Sequence, residues 1–168
     1  MKTLRKATLM LSLAVVLVAG GIQSSAADPA AEIAAIHAVD DVWVKALNTG
    51  DVDTIVAQYA EYAVLLPPGA PAAHGQAAIR AFFATMVSAA VKEGIAFSLD
   101  AKPAGGANGD MGWSSGSYVV KDKTGHVIET GKYLSVSKKK GGKWLYVRDT
   151  WNSDGATTST EPAAPTKK

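Results

Sequence analysis

The chain has 168 residues, with 17 Lys and Arg against 15 Asp and Glu, three His and no Cys. The missing cysteines exclude a disulfide framework, a zinc–thiolate site and a thioether-linked lipid anchor. The net charge of +2 is carried by Lys2, Arg5 and Lys6; the remainder holds 14 basic against 15 acidic side chains, a balance that gives nucleic acid no electrostatic footprint.

Those three cations precede an apolar run over residues 7–19, broken only by Thr8 and Ser12, and then the small residues Ser25, Ala26 and Ala27. A charged start, an apolar stretch and a small-residue cleavage site are the arrangement of a secretory signal, predicted over 1–27. A membrane-spanning helix needs about 20 apolar residues, and this run is shorter. The expectation is therefore cleavage without a stable membrane anchor, leaving a mature domain in the periplasm or outside the cell.

Over residues 30–48, Ile33, Ile36, Val39, Trp43 and Leu47 recur at steps of three and four, which predicts an amphipathic helix. Asn48-Thr49-Gly50 ends it. Asp51 then caps a short second helix carrying Val52, Ile55, Val56 and Tyr59. Val64-Leu65-Leu66 is a brief strand stopped by Pro67-Pro68, since proline cannot donate to a ladder. Residues 69–74 read as loop. A third helix over 76–91 buries Ile79, Phe82, Phe83, Met86 and Val87, with Gly94 beyond its end.

The second half changes character. Residues 95–102, 111–121, 127–137 and 143–152 are rich in aromatic and β-branched side chains, separated by Gly105-Gly106, by Asp122-Lys123-Thr124-Gly125 and by Lys140-Gly141-Gly142, which is turn chemistry. Four strands on short turns read as an antiparallel meander, and three helices ahead of such a sheet make an α+β domain with the helices on one face. The domain is expected over 28–153. Residues 154–168 carry nothing apolar larger than Ala and Pro, the composition of a disordered tail.

The order Ala46-Leu47-Asn48-x-Gly50-Asp51-x-Asp53, Ile55-Val56-Ala57, then Gly75-x-Ala77-Ala78-Ile79-Arg80-x-Phe82, with Gly142-x-Trp144 and Arg148-Asp149-Thr150-Trp151-Asn152 near the end, resembles the nuclear transport factor 2-like superfamily. The match is to its ketosteroid-isomerase-like and SnoaL-like branch, in a set of exported bacterial proteins, over about residues 31–153. The resemblance implies a cone-shaped domain in which a curved, mainly antiparallel sheet wraps the helices around a pocket, and a homodimer formed through the convex face of the sheet. It does not carry the isomerase mechanism across. The tyrosine donor of those enzymes falls at Trp43, their general-base aspartate at Leu66-Pro67-Pro68, and their protonated aspartate near Tyr133 or Leu134. Enolisation needs a base and oxyanion donors together.

Positions carried over from the family place Trp43, Tyr59, Phe83, Met86, Val147, Asp149 and Trp151 toward the pocket, joined by Tyr118 and Tyr133 if the strand register holds. Core packing is the alternative for each aromatic side chain. Asp149, between Val147 and Trp151 on an inward strand face, is the leading acid–base candidate; an ion pair is its structural alternative. His74, at the start of the third helix, and Asp40, beside the stripe of the first, are its candidate partners. His37 and Asp41 are spaced as a surface pair, and Lys138-Lys139-Lys140 as a solvated hairpin tip. Three His on three elements predict no metal site, and the glycine-rich pieces lack the context of a phosphate loop, so no cofactor is expected.

Three functions fit this pattern. The first is binding of a small apolar or aromatic molecule; the second is a SnoaL-like cyclase, isomerase or lyase using Asp149; the third is a non-catalytic dimeric interaction module.

Overall fold

The computed structural model describes residues 28–156; the signal at 1–27 and most of the predicted tail lie outside the described residues. Helix α1 (Pro29–Thr49) starts where Asp28 accepts the amide of Ala30 and proline takes the first turn, whose amide has no helical partner. It ends at Gly50, whose φ of 79° suits a residue without a β-carbon. Asp51 caps α2 (Val52–Ala57) by accepting both the amide and the hydroxyl of Thr54. This helix is shorter than expected, and Tyr59 opens strand β1 (Tyr59–Leu66) instead of closing the helix.

Two further expectations of loop are corrected. Ala73–His74 form β2, a two-residue strand antiparallel to β1, just before α3 (Gly75–Glu93). After β3 (Ala96–Leu99), Gly105-Gly106 sit inside β4 (Ala104–Asn108), not in a turn. The glycines are there because neighbours take the space of their side chains. A β-carbon on Gly105 would lie 2.5 Å from His37 Nε2, and one on Gly106 would lie 2.6 Å from the indole nitrogen of Trp113. β5 (Met111–Lys121), β6 (Val127–Lys140) and β7 (Lys143–Ala156) are the predicted antiparallel meander. β7 runs past the expected boundary at Ser153, held there by the Lys132–Asp154 ion pair at 2.6 Å.

The sheet order is β2-β1-β7-β6-β5-β3, and β4 pairs with the other half of the β5 edge that β3 occupies. One pairing breaks the antiparallel pattern, since β1 runs parallel to β7. The result is an α+β fold with a curved sheet and three helices, and its core gathers Ile36, Leu47, Ile55, Leu65, Ile79, Phe83 and Val87.

The expected strand faces are corrected in β7. Val136 pairs with Arg148 and Ser137 with Tyr146, so Val147 is an extra residue without a partner, a β-bulge. Before the bulge, Trp144 and Tyr146 point to α1, where they bond Glu32 and Asp40. After it, Asp149 and Trp151 point the same way. Strict alternation would put Trp144 and Tyr146 on the face opposite Asp149 and Trp151; one inserted residue brings all four to one side.

Candidate functional site

Between α1, α3 and the sheet lies a cleft of about 80 Å³, partly open to solvent. Of the residues expected there, Asp40, Trp43, Met86, Tyr118, Tyr133, Asp149 and Trp151 line it. Three do not. Phe83 is fully buried behind the wall, where it meets Trp43 edge-on at 5.7 Å and Tyr59 at 6.0 Å. Val147 is spent on the bulge and packs into the core. His74 is exposed at the start of α3, away from the cleft, because β2 pairs it with Val64 at the sheet's edge. Tyr59 is buried and reaches the site through its hydroxyl.

Leu47, Phe97, Leu99, Glu129, Ser135 and Tyr146 also line the cleft without having been anticipated. Tyr146 was hidden by the bulge. Ser135 was findable in principle, because it stands opposite Asp149 in the β6–β7 ladder.

The polar groups form two linked sets. Trp43 donates its indole N–H to the Tyr59 hydroxyl at 3.1 Å, and Tyr59 donates to Asp149 at 2.5 Å. Tyr146 donates to Asp40 at 2.5 Å, and Tyr133 approaches the other oxygen of Asp40 at 3.4 Å. The rings of Tyr59 and Tyr146 join the sets at 5.2 Å. At the cleft's other side Tyr118 donates to Glu129 at 2.6 Å, its ring seated over Gly131, where a β-carbon would fall 2.3 Å from Cζ.

Burial raises the Asp149 carboxyl from its ordinary 3.8 to about 6, and the nearby charge of Asp40 adds to the shift, while the hydrogen bonds from Tyr59 and the Thr150 amide oppose it. Asp40 is raised too, by burial first, against the bonds from Tyr146, Ser114 and Tyr133 and the charge of His37. Burial beside these carboxylates pushes the Tyr59 and Tyr146 hydroxyls well above the phenol range, which keeps them as donors. No lysine or arginine lines the cleft. Within the chain Arg148 donates to the Val147 carbonyl, and among the described contacts no lysine pairs with Asp149.

Other predicted pairings also differ. His37 leaves Asp41 in solvent and packs its Nε2, buried without a partner, toward Gly105. Lys139 is not a free hairpin tip: it bonds Glu32 at 2.6 Å and lies 5.7 Å over the Trp144 ring, tying the β6–β7 hairpin to α1. Among the described residues no group of His, Asp and Glu is placed to hold a metal ion, and no helix is long and apolar enough to cross a membrane.

The isomerase pattern is absent from the corresponding strand end, where Leu66 is exposed and Pro67 follows. The carboxylate of this site comes from β7. It is a buried carboxyl raised to about 6 beside a fixed hydroxyl donor, a group suited to accept or donate a proton.

No curated protein matches the chain. Among solved structures, it is similar to an NTF2-like protein of unknown function from Pseudomonas putida KT2440 (TM-score 0.67, 19% identity, 83% of this chain and 97% of that one). It is also similar to an NTF2-like protein with a cystatin-like fold from Novosphingobium aromaticivorans (0.67, 19%, 74% and 83%). A third is a ketosteroid isomerase-like protein from Erwinia carotovora atroseptica SCRI1043 (0.58, 21%, 74% and 97%). At these identities the likeness establishes the fold alone. A family model described as a SnoaL-like domain matches residues 41–147, ending two residues before Asp149. With more than half of its length matched, and with this fold, the chain belongs to the SnoaL-like domain family.

Proposed function

We propose that the domain binds a small, largely apolar molecule in the cleft and moves a proton on it through Asp149. The observation that carries this reading is a buried carboxylate on an aromatic-walled cavity, held by a donor hydroxyl 2.5 Å away, and burial raises that carboxyl to about 6. The reaction class is removal of a proton by the Asp149 carboxylate, with the C–H electron pair moving into an adjacent π system, and return of the proton from the carboxylic acid elsewhere on the same molecule or to a leaving group. That covers isomerases and lyases. Tyr59 and Trp43 are positioning residues, since they act through Asp149.

The test is a panel of small apolar and aromatic compounds screened by thermal shift, with deuterium exchange at ligand C–H followed by nuclear magnetic resonance. A compound present at about 100 times its Kd should stabilise by roughly 2.7 kcal/mol. The reading requires that wild type exchange label into the bound compound and that Asp149→Asn bind it without exchange. Binding without exchange in wild type reduces the proposal to a binding domain.

A second reading concerns assembly. On the sheet face turned away from α1, Met111 and Trp113 of β5, Leu134 of β6 and, across Thr150 of β7, Leu66 of β1 are each 41–45% exposed. This apolar row favours a homodimer through the sheet. Trp113→Glu should shift a dimer to monomer in light scattering; an unchanged mass removes that face from the assembly. Export belongs to the same proposal and rests on the leader at 1–27; secreted protein that begins near Asp28 by mass supports it, and protein retained with Met1 overturns it.

A further inference from the structure

The donors on the cleft wall are largely engaged with the protein. Trp43, Tyr118, Tyr133 and Tyr146 point their N–H or O–H groups at Tyr59, Glu129, Asp40 and Asp40 respectively, and Ser135 shares its hydroxyl with Ser114 at 2.8 Å. What the lining leaves for a ligand is therefore mostly acceptor: the carboxylate oxygens of Asp40 and Asp149 beside aromatic side chains. A carbonyl or carboxylate ligand would need donors that this wall has already committed. No lysine or arginine lines the cleft; Lys139, Lys132 and Arg80 pair with Glu32, Asp154 and Asp53, and the base that acts on Asp40 is His37.

We propose that the ligand presents a compact organic cation, an alkylammonium head, to Asp40 and Asp149 between the rings of Trp43, Tyr133, Tyr146 and Trp151. An aromatic ring carries the negative side of its quadrupole on its faces, so rings and carboxylates lining one cleft attract an onium group together. The same cation compensates Asp149, which has no basic side chain among its described contacts, and adds to the one cationic neighbour of Asp40, His37. A hard metal ion would require a ring of oxygen ligands, and among the described residues none is assembled. The size fits as well. The cleft, about 80 Å³, is smaller than the roughly 150 Å³ in which benzene is held, which suits a head group of a few heavy atoms with the rest of the molecule toward solvent. This inference rests on the cleft being the ligand site but not on turnover.

The probes are choline and its uncharged isostere 3,3-dimethyl-1-butanol, titrated calorimetrically into the full chain at pH 7.5 in phosphate buffer, which supplies no competing amine. Choline is expected to bind at least tenfold more tightly than the alcohol. Asp149→Asn and Asp40→Asn, checked for folding by circular dichroism, are each expected to weaken choline at least tenfold while leaving the alcohol within twofold. Equal or tighter binding of the alcohol overturns the cation and leaves the apolar cleft standing. Binding of neither probe at millimolar concentration also overturns the cation, and the compound panel then decides separately whether the cleft binds anything.

Discussion

Replacing Asp149 by asparagine should stabilise the protein at neutral pH, and the size of the gain follows from the site. The folded carboxyl holds its proton up to about pH 6, against 3.8 when exposed. At 1.36 kcal/mol per pH unit, ionising it inside the fold costs about 3 kcal/mol above both values. Because the folded-state pKa is raised, folding takes up a proton between the two values; the penalty is absent below about 3.8, grows as pH rises, and is complete above about 6. Wild type should thus gain about 1 kcal/mol from pH 8 to pH 5, and about 2 kcal/mol by pH 4, from this residue alone. Asparagine keeps the shape and still accepts the Tyr59 hydroxyl, so the variant should lack that slope and exceed wild type by up to about 3 kcal/mol at pH 8, roughly 10 °C in Tm for a domain of this size. Urea unfolding of both proteins at pH 8, 6, 5 and 4 measures it. Carboxylates such as Glu32 and Asp154, lowered by their lysine partners, titrate in both proteins and cancel in the difference. A stability difference that stays flat from pH 8 to pH 4, or grows as the pH falls, would refute the argument.

Gly131→Ala drives a methyl group into the Tyr118 ring, 2.3 Å from Cζ; a ring this buried and tied to Glu129 cannot yield cheaply, so about 1–3 kcal/mol should be lost in urea unfolding. Phe83→Ala removes the side chain that backs Trp43 and Tyr59 and should cost about 3–5 kcal/mol, with weakened ligand binding because Trp43 loses its support. His74→Ala, by contrast, should leave both the affinity of any cleft ligand and its pH profile unchanged, as read by calorimetry, since the imidazole is exposed outside the cleft.

Periodicity located what depends on a single element. The three- and four-residue spacing of Ile36, Val39 and Leu47 is the buried stripe of α1, and Ile79, Phe83 and Val87 do the same for α3. Capping was equally legible at Asp51 and Gly94, whose chemistry is local. Features that depend on two elements were not. Gly105-Gly106 look like a turn until His37 and Trp113 are brought against them. Tyr59 has the spacing of a helix face, yet the parallel pairing with Tyr146 makes it a strand residue. Family positions found Asp149, Trp43 and Trp151, but neither they nor alternation revealed a bulge, because Val147 is an ordinary strand residue whose lack of a partner belongs to the ladder with β6.

That bulge divides the last strand into two stretches whose phases can be set independently. The segment before it fastens α1 through Glu32 and Asp40; the segment after it supplies a carboxylate and an indole to the cavity. In an unbroken strand, directing one stretch inward would turn the other out, and anchoring would compete with chemistry for the same face. Deletion of Val147 would therefore invert one half wholesale. Point substitutions at Asp149 or Trp151, by comparison, can change what the cavity recognises while the helix stays fastened, which makes the far end of β7 the place where a relative on this fold can acquire a different ligand with the least disturbance to its frame.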